Sequence, residues 1–369
     1  MYYKRFQDID ISALGMGAMR LPVKGVNYGQ IDAAETQKLI DAAIEGGVNY
    51  FDTAYMYHEG ESERFLGEAL AKHPRESYYL ATKFYAAANP DIRLVFEEQL
   101  QRCGVEYFDF YLLHDINEHS IAAYTDEKRD YLGFLLEQKA KGRIRRLGFS
   151  SHAAPDTLSR FLNWHDGFDM ALLQLNYLDW TLLEGKRQYE IVSEHNIPIW
   201  VMEPLKGGIL STLNRKATEI LESATPGRSV SSWGFRFLMG LSNVQTILSG
   251  MSTIEQVDDN LRTFERHDPL DEWEQAALQR AVSAFVGELG IPCSACCYCC
   301  PVCPARIDIP QIIRKYNEEQ ISGESWRVEV MSRAGRGPET CLQCGVCLEH
   351  CPQKINIPDV LLKIARSNP

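Results

Sequence analysis

Four side chains in the first third of the chain have the chemistry to pass a proton to an oxygen that is gaining negative charge. Asp52 stands in Phe51-Asp52-Thr53-Ala54-Tyr55-Met56-Tyr57, Lys83 in Ala81-Thr82-Lys83, and His114 in Tyr111-Leu112-Leu113-His114. A phenol with its ordinary pKa of about 10 is a weak acid at neutral pH. A Lys83 ammonium close to Tyr57 would favour the phenolate and bring that value down. Asp52 would pair with Lys83 and fix its position, and His114 could hydrogen-bond a substrate oxygen or assist the transfer. Such a group can protonate an alkoxide as a hydride arrives at carbon. Singly, the same residues would serve as a strand-end ion pair and a packed aromatic. Together, after successive apolar runs, they point to chemistry.

A second constellation lies in the tail. Of eleven cysteines, Cys103 stands alone in the first 290 residues, and the others fall between Cys293 and Cys351. A secreted disulfide scaffold is short and cysteine-dense throughout, so a cysteine-rich tail on a long chain reads as a metal site. Both runs fit C-x2-C-x2-C-x3-C-P, the spacing of bacterial two-cluster ferredoxins, in which the fourth cysteine of each run reaches across to the other cluster. One [4Fe–4S] cluster would use Cys293, Cys296, Cys299 and Cys351, and the other Cys341, Cys344, Cys347 and Cys303. Zinc sites commonly use two C-x2-C pairs, and two complete four-cysteine runs closed by proline fit clusters better. Cys297 and Cys300 are surplus, as non-ligand thiols or through a one-position exchange of ligands.

These groups need a frame. Short apolar runs occur at 14–19, 48–51, 78–81, 108–113, 144–147, 170–173, 197–201 and 244–248, separated by amphipathic patterns at 34–45, 62–71, 92–102, 128–141, 154–163, 185–195, 230–239 and 254–264. Strand–helix alternation implies parallel strands with crossover helices. About eight such units make a (β/α)8 TIM barrel of about 250 residues. The alternative, an open doubly wound sheet, lacks its Gly-rich fingerprint after the first strand. Asp52, Lys83, His114, Ser150, Gln174, Glu203 and Ser249 follow the apolar runs and would converge at the barrel mouth, where such folds place their chemistry. Asp109 interrupts a run and suits a structural hydrogen bond. Alternation over 2–11 predicts a hairpin beneath the barrel. The expected fold is therefore α/β: a (β/α)8 barrel over 1–290, then a mostly helical ferredoxin-like iron–sulfur domain over 291–369, with helices at 309–318 and 325–333.

Composition sets outer limits. At 369 residues, 45% hydrophobic and 24% charged, the chain is long enough for a barrel with an appendix. Its formal net charge of −12 weighs against nucleic-acid binding and against an anionic membrane surface. No apolar signal core opens the sequence and no run is long enough to span a bilayer, so the expectation is a cytoplasmic protein.

The segment Gly47-Val48-Asn49-Tyr50-Phe51-Asp52-Thr53-Ala54, followed by Ser62-Glu63-Arg64-Phe65-Leu66-Gly67, resembles the signature of the aldo-keto reductases, as does Phe108-Asp109-Phe110-Tyr111-Leu112-Leu113-His114. The resemblance implies that the tyrosine five residues after the aspartate, Tyr57 rather than Tyr55, completes the tetrad. It also implies a nicotinamide nucleotide, NADPH or NADH, across the barrel mouth. Ser150, Ser151 and Gln174 match positions that hold the carboxamide; side chains with donor and acceptor capacity suit an amide. Met202 stands where many members stack a tyrosine on the nicotinamide ring. The segment Ser249 to Asn260 resembles the phosphate-binding stretch. There, Gly250 and Gln256 replace the lysine and arginine frequent in NADPH-specific members, although backbone amides after Ser252 could still take a phosphate.

The expected activity is hydride transfer between a nicotinamide cofactor and a carbonyl-type small molecule. The clusters would either relay electrons to a ferredoxin or flavoprotein partner or support structure. A nucleotide-sensing or electron-transfer subunit is the alternative. Met19, Arg20, Tyr85 and Trp180 are candidates for the pocket wall, and the substrate itself is not legible in the sequence.

Overall fold

A strand whose successor is reached through a helix lies parallel to it, and repeating that unit around a twist closes a sheet on itself. The computed structural model describes residues 1–25, 28–286, 290–322, 326–333 and 335–367. It contains a two-stranded antiparallel hairpin, β1 (Tyr3–Phe6) and β2 (Ile9–Ser12), and a closed parallel barrel. The barrel strands are β3 (Leu14–Gly17), β4 (Tyr50–Asp52), β5 (Tyr79–Phe84), β6 (Phe108–Ile116), β7 (Ile144–Ser151), β8 (Met170–Gln174), β9 (Ile199–Met202) and β10 (Val244–Ser249). β10 pairs with both β9 and β3, which closes the ring. Burial on both faces explains why these strands read as continuous apolar runs.

Three strands, β5, β6 and β7, run three or more residues further than their apolar residues foretold, the last of them through Ser150 and Ser151. β5 carries Lys83 inside it and β6 carries His114, because polar side chains directed into a covered mouth stay on the ladder. The helices follow the predicted pattern with side-chain caps where the sequence supplies them: Asp32 accepts from the Glu35 N–H, Asp91 from those of Arg93 and Leu94, and Thr253 from that of Gln256. The helix expected over 128–141 is shorter, Tyr131–Ala140, because Asp130 takes a left-handed φ of 48° before it.

The N-terminal hairpin plugs the bottom of the barrel, as its alternation predicted. Phe6 and Ile11 join Tyr50, Phe110, Met170, Leu172 and Trp200 in one core, with the Phe6 ring 4.8 Å from that of Trp200. Arg146 lies over Phe6 and Phe110 and pairs with Asp8.

By compactness the chain forms two units: Met1–Pro204 with Ser232–Glu272, and Leu205–Ser231 with Trp273–Pro369. The second takes more of the chain than the cysteine-rich tail alone. Among its described residues there is no strand. Helices Ile309–Ser322 and Trp326–Arg333 lie where helices were expected, with residue 325 outside the described set. Helices Arg215–Ala224, Glu272–Val286 and Ile357–Ser367 were not anticipated.

In this unit both cysteine runs border one apolar core containing Ile309, Ile312, Ile313, Tyr316, Ile357, Leu361 and Ile364. Their backbones repeat one another. Left-handed φ values occur at Ala295 and Gln343, at Cys297 and Gly345, and at Arg306 and Lys354, the same offset apart each time. Cys300 N–H donates to Cys297 O at 3.0 Å and Leu348 N–H to Gly345 O at 2.9 Å; Arg306 to Cys303 and Lys354 to Cys351 match likewise at 3.0 Å. Each run ends in Cys-Pro-x-x-Ile-x-Ile-Pro and feeds a helix. Among the described residues no helix is long and apolar enough to cross a membrane.

Candidate active site

An ammonium buried in a protein needs its three donors met. Lys83 Nζ lies 2.5 Å from Asp52 Oδ1, 2.6 Å from the Thr53 carbonyl oxygen and 3.4 Å from Tyr57 Oη. The Lys83 and Asp52 side chains are only 1% and 4% exposed. Burial raises the Asp52 carboxyl and lowers the Lys83 ammonium from their ordinary values, and each partner's charge opposes that shift. An ion pair of this kind holds a fixed charge at a fixed place.

Tyr57 begins a short 3-10 turn, Tyr57–Gly60, in which His58 and Glu59 adopt left-handed backbone at φ 51° and 58°. Its ring centroid is 4.8 Å from Lys83 Nζ and 6.0 Å from the His114 ring, nearly perpendicular to it. Tyr55, the other tyrosine of the loop, instead donates to Glu98 at 3.0 Å with Arg102 over its ring. The geometry thus brings Asp52, Tyr57, Lys83 and His114 together and leaves Tyr55 out.

His114 sits where the pairing of β6 with β7 slips register between Leu113 and Ile116, and Asp115 takes φ 60°. Such a bulge re-aims a side chain at the rim of a barrel. Tyr124 fixes it by donating to the His114 carbonyl at 2.6 Å. Burial, then the Lys83 ammonium and His152, hold the imidazole well below the usual histidine range. It is therefore neutral at physiological pH and can both donate and accept.

A second buried acid braces the site from behind. Glu63 Oε1 accepts from Thr82 Oγ1 at 2.6 Å and Gln99 Nε2 at 2.5 Å, and its Oε2 lies 3.3 Å from Arg102. Gln99 Nε2 also donates to the Lys83 carbonyl at 3.0 Å. In the sequence Glu63 is marked only as part of the Ser62–Gly67 motif; its neighbour in that network, Gln99, carries no signal outside helical periodicity. Asp109 has the structural role expected of it, accepting from the Leu80 N–H and from Arg75.

The expected nucleotide positions line adjacent strand ends. Ser150 Oγ accepts from the Asp115 N–H at 2.9 Å. Ser151 is fully buried, donating to Ile116 O and accepting from the Ala153 N–H. Gln174 donates to Asp179 at 2.8 Å, and its Oε1 lies 3.0 Å from His152 Nδ1. Met202, at the end of β9, is half-buried. Asn260 Nδ2 donates to Ser249 Oγ at 2.9 Å, Gly250 is exposed, and Gln256 Oε1 accepts from the Ser252 N–H at 2.7 Å. Of the candidate wall residues, Tyr85 lies 5.3 Å from the His114 ring, and Arg20 pairs with Glu203 at 3.6 Å. Trp180 packs on Tyr189 and Phe237 and serves the helical layer.

In the second unit, Cys303, Cys341, Cys344 and Cys347 line one cavity together with Pro304, Ile307, Ile309, Pro358 and Leu361. Burial, with Cys341, Cys344 and Cys303 nearby, pushes the Cys347 thiol up to about 11. Cys293, Cys299 and Cys351 border the same core. Among the described residues no three His, Cys, Asp or Glu side chains form a group that could hold a metal ion.

A family model described as the aldo/keto reductase family matches residues 13–282. An uncharacterized oxidoreductase of Bacillus subtilis (strain 168), YqkF, is 24% identical over 308 residues, 74% of this chain and 93% of that protein. The NADH-specific methylglyoxal reductase of Escherichia coli (strain K12) is 25% identical over 306 residues, covering 69% and 90% respectively. Among solved structures, the holo form of the aldo-keto reductase AKR11C1 from Bacillus halodurans superposes with a TM-score of 0.62 at 25% identity, over 76% of this chain and 96% of that one.

Proposed function

The chain belongs to the aldo/keto reductase family and is an NAD(P)-dependent oxidoreductase, and on that premise we propose that it reduces a carbonyl-type small molecule at the Asp52–Tyr57–Lys83–His114 mouth and carries two [4Fe–4S] clusters in its second unit. The observation that supports the first half is the approach of Lys83 Nζ to Tyr57 Oη, 3.4 Å apart among largely buried side chains. When bound, the nicotinamide nucleotide supplies the hydride. Tyr57 Oη donates the proton to the substrate oxygen. The Lys83 ammonium stabilises the phenolate left behind, and Asp52 keeps that ammonium in place. Neutral His114 hydrogen-bonds the same oxygen and orients the carbonyl. Ser150 and Gln174, with Ser151 bracing their loop, would hold the carboxamide, Met202 would face the ring, and the Ser249–Asn260 segment with Gly250 and Gln256 would border the phosphates.

The second half rests on the cysteines. Thiols gathered in an apolar setting favour the protonated form until a cation stabilises the thiolates, so the donor set Cys303, Cys341, Cys344 and Cys347 suits iron. The repeated backbone of the two runs supports matching ligands Cys293, Cys296 and Cys299 with Cys351. A single metal ion draws thiolates in to about 2.3 Å; a cube of iron and sulfide keeps them further apart, so a set too open for one ion still suits a cluster. When bound, the clusters supply one-electron steps to a ferredoxin or flavoprotein partner.

The test uses protein purified anaerobically. Iron and acid-labile sulfide at about eight each per chain are expected, and their absence ends the cluster reading. Methylglyoxal serves as the carbonyl probe with NADH and with NADPH. Tyr57→Phe should lower turnover by about 10²- to 10⁴-fold with nucleotide binding retained; full activity in that variant removes Tyr57 as the donor.

A further inference from the structure

We propose that Lys206 tunes the reduction potential of one cluster, that of Cys293, Cys296, Cys299 and Cys351, by fixing a positive charge beside it, and so makes the two clusters unequal electron acceptors. This rests on the reading that the second unit carries two [4Fe–4S] clusters.

The offset that relates Ala295 to Gln343 and Arg306 to Lys354 also matches Ser294 with Leu342, Tyr298 with Val346 and Ala305 with Gln353. The matched places differ in cover. Ser294 is 1% exposed and Leu342 66%; Tyr298 is 9% exposed and Val346 40%. Cys296 is half-buried where Cys344 is exposed. Two loops of one backbone design therefore hold their cysteines in different surroundings, the first covered and the second within reach of solvent.

Part of that cover is the segment Lys206–Ser211 of the same unit. A Cβ built on Gly207 would fall 2.2 Å from the Ser294 carbonyl oxygen, so backbone lies against backbone there and a side chain has no room. One residue earlier, Lys206 Nζ donates to Gln353 Oε1. Ser294 follows Cys293, and Gln353 stands two residues beyond Cys351. The pair Lys206–Gly207 thus touches both stretches that supply this one ligand set. Lys206 is 2% exposed and Gln353 6%. Lys206 also holds a left-handed φ of 46°, a conformation that costs free energy without glycine and persists where the surroundings impose it. At the matched place of the first run, Ala305 has no side-chain acceptor with which to hold a lysine.

A cluster bound by four thiolates is an anion, and an added electron makes it more negative. A fixed cation close by favours the reduced form, and among buried groups it is weakly screened. Cover acts the other way, because leaving water disfavours the more highly charged form. Lys206 offsets that penalty where the cover is greatest. What matters is where the ammonium is fixed, not how many partners fix it.

The test is a potentiometric titration of the anaerobic full-length protein with dithionite, which gives one electron to each cluster and is itself oxidised to sulfite. Low-temperature spin resonance, with iron and sulfide analysis, reads wild type, Lys206→Met, Lys206→Arg and Lys206→Gln. The signal of the covered cluster is the one lost in Cys299→Ala. At a fixed potential, Lys206→Met should lower that cluster's ratio of reduced to oxidised form by about three-fold or more, with the other cluster unmoved and the iron content of wild type. Lys206→Arg should restore most of the ratio. An unchanged ratio, or an equal change at both clusters, makes Lys206 a packing strut and overturns the inference while two clusters stand. Should Lys206→Met not take up iron, Lys206→Gln decides by the same criteria, and iron loss in both variants overturns the inference as well. If wild type itself contains no iron or sulfide, the cluster reading fails and this inference with it.

Discussion

His114 shows how one residue's surroundings decide its chemistry. An exposed imidazole titrates near 6.5, but burial and the nearby Lys83 and His152 hold this one well below that. Above about pH 6.5 it is neutral in both the folded and unfolded chain and contributes no pH dependence. Below that, the unfolded chain takes up a proton that the folded chain refuses, so stability falls as pH drops, by up to about 1.4 kcal/mol per pH unit for one group. Urea unfolding of wild type and His114→Gln at pH 7 and pH 5 isolates this, since His58, also lowered by burial, is common to both. The wild type should lose more stability than the variant over that interval; parallel losses would show that His114 is protonated in the fold.

Elements hold such residues by close approach. Helices Glu61–Leu70 and Ile92–Cys103 meet at Gly67, where an added Cβ would fall 2.4 Å from the Cys103 carbonyl oxygen. Gly67→Ala gains up to about 1 kcal/mol of helix propensity, but the clash is with backbone and cannot be relieved by a rotamer, and overpacking costs about 1–3 kcal/mol. The second effect should win: the variant unfolds at lower denaturant concentration, and because Glu63 and Gln99 lie on these two helices, its turnover falls as well. A variant as stable as wild type would mean that the helices separate freely.

Over the whole molecule, the family model ends at residue 282, and both cysteine runs lie beyond it. Cys297 and Gly345 occupy matching positions of the two runs, both at left-handed φ, so on the cluster proposal Cys297 takes a glycine-like place in its loop and is not a ligand. Cys297→Gly should keep the full iron content and relieve a left-handed side chain worth about 1–2 kcal/mol, whereas Cys299→Ala should lose about half the iron. Iron analysis and low-temperature spin resonance of the reduced proteins would read both; iron loss in Cys297→Gly would reinstate the exchange of ligands in the crowded run.

Much of this was written in the sequence. Eight apolar runs separated by amphipathic stretches determine a parallel barrel, because burial on both strand faces and crossover helices leave a one-dimensional mark. The motif around Asp52 likewise marked the tetrad, and the alternation of residues 2–11 marked the plug that Phe6 drives under the barrel. Three features were not legible. Lys83 and His114 lie within their strands, since periodicity cannot distinguish a polar residue ending a ladder from one inside a covered mouth. Helix Ile357–Ser367 hid behind the cysteines, although Ile357, Leu361 and Ile364 have helical spacing. The hydrogen bond from Ser252 Oγ to the Arg20 carbonyl joins loops more than two hundred residues apart, and only the closure of β3 against β10 brings them together. Local pattern records what each segment buries; which distant segments meet is decided by the closed ring.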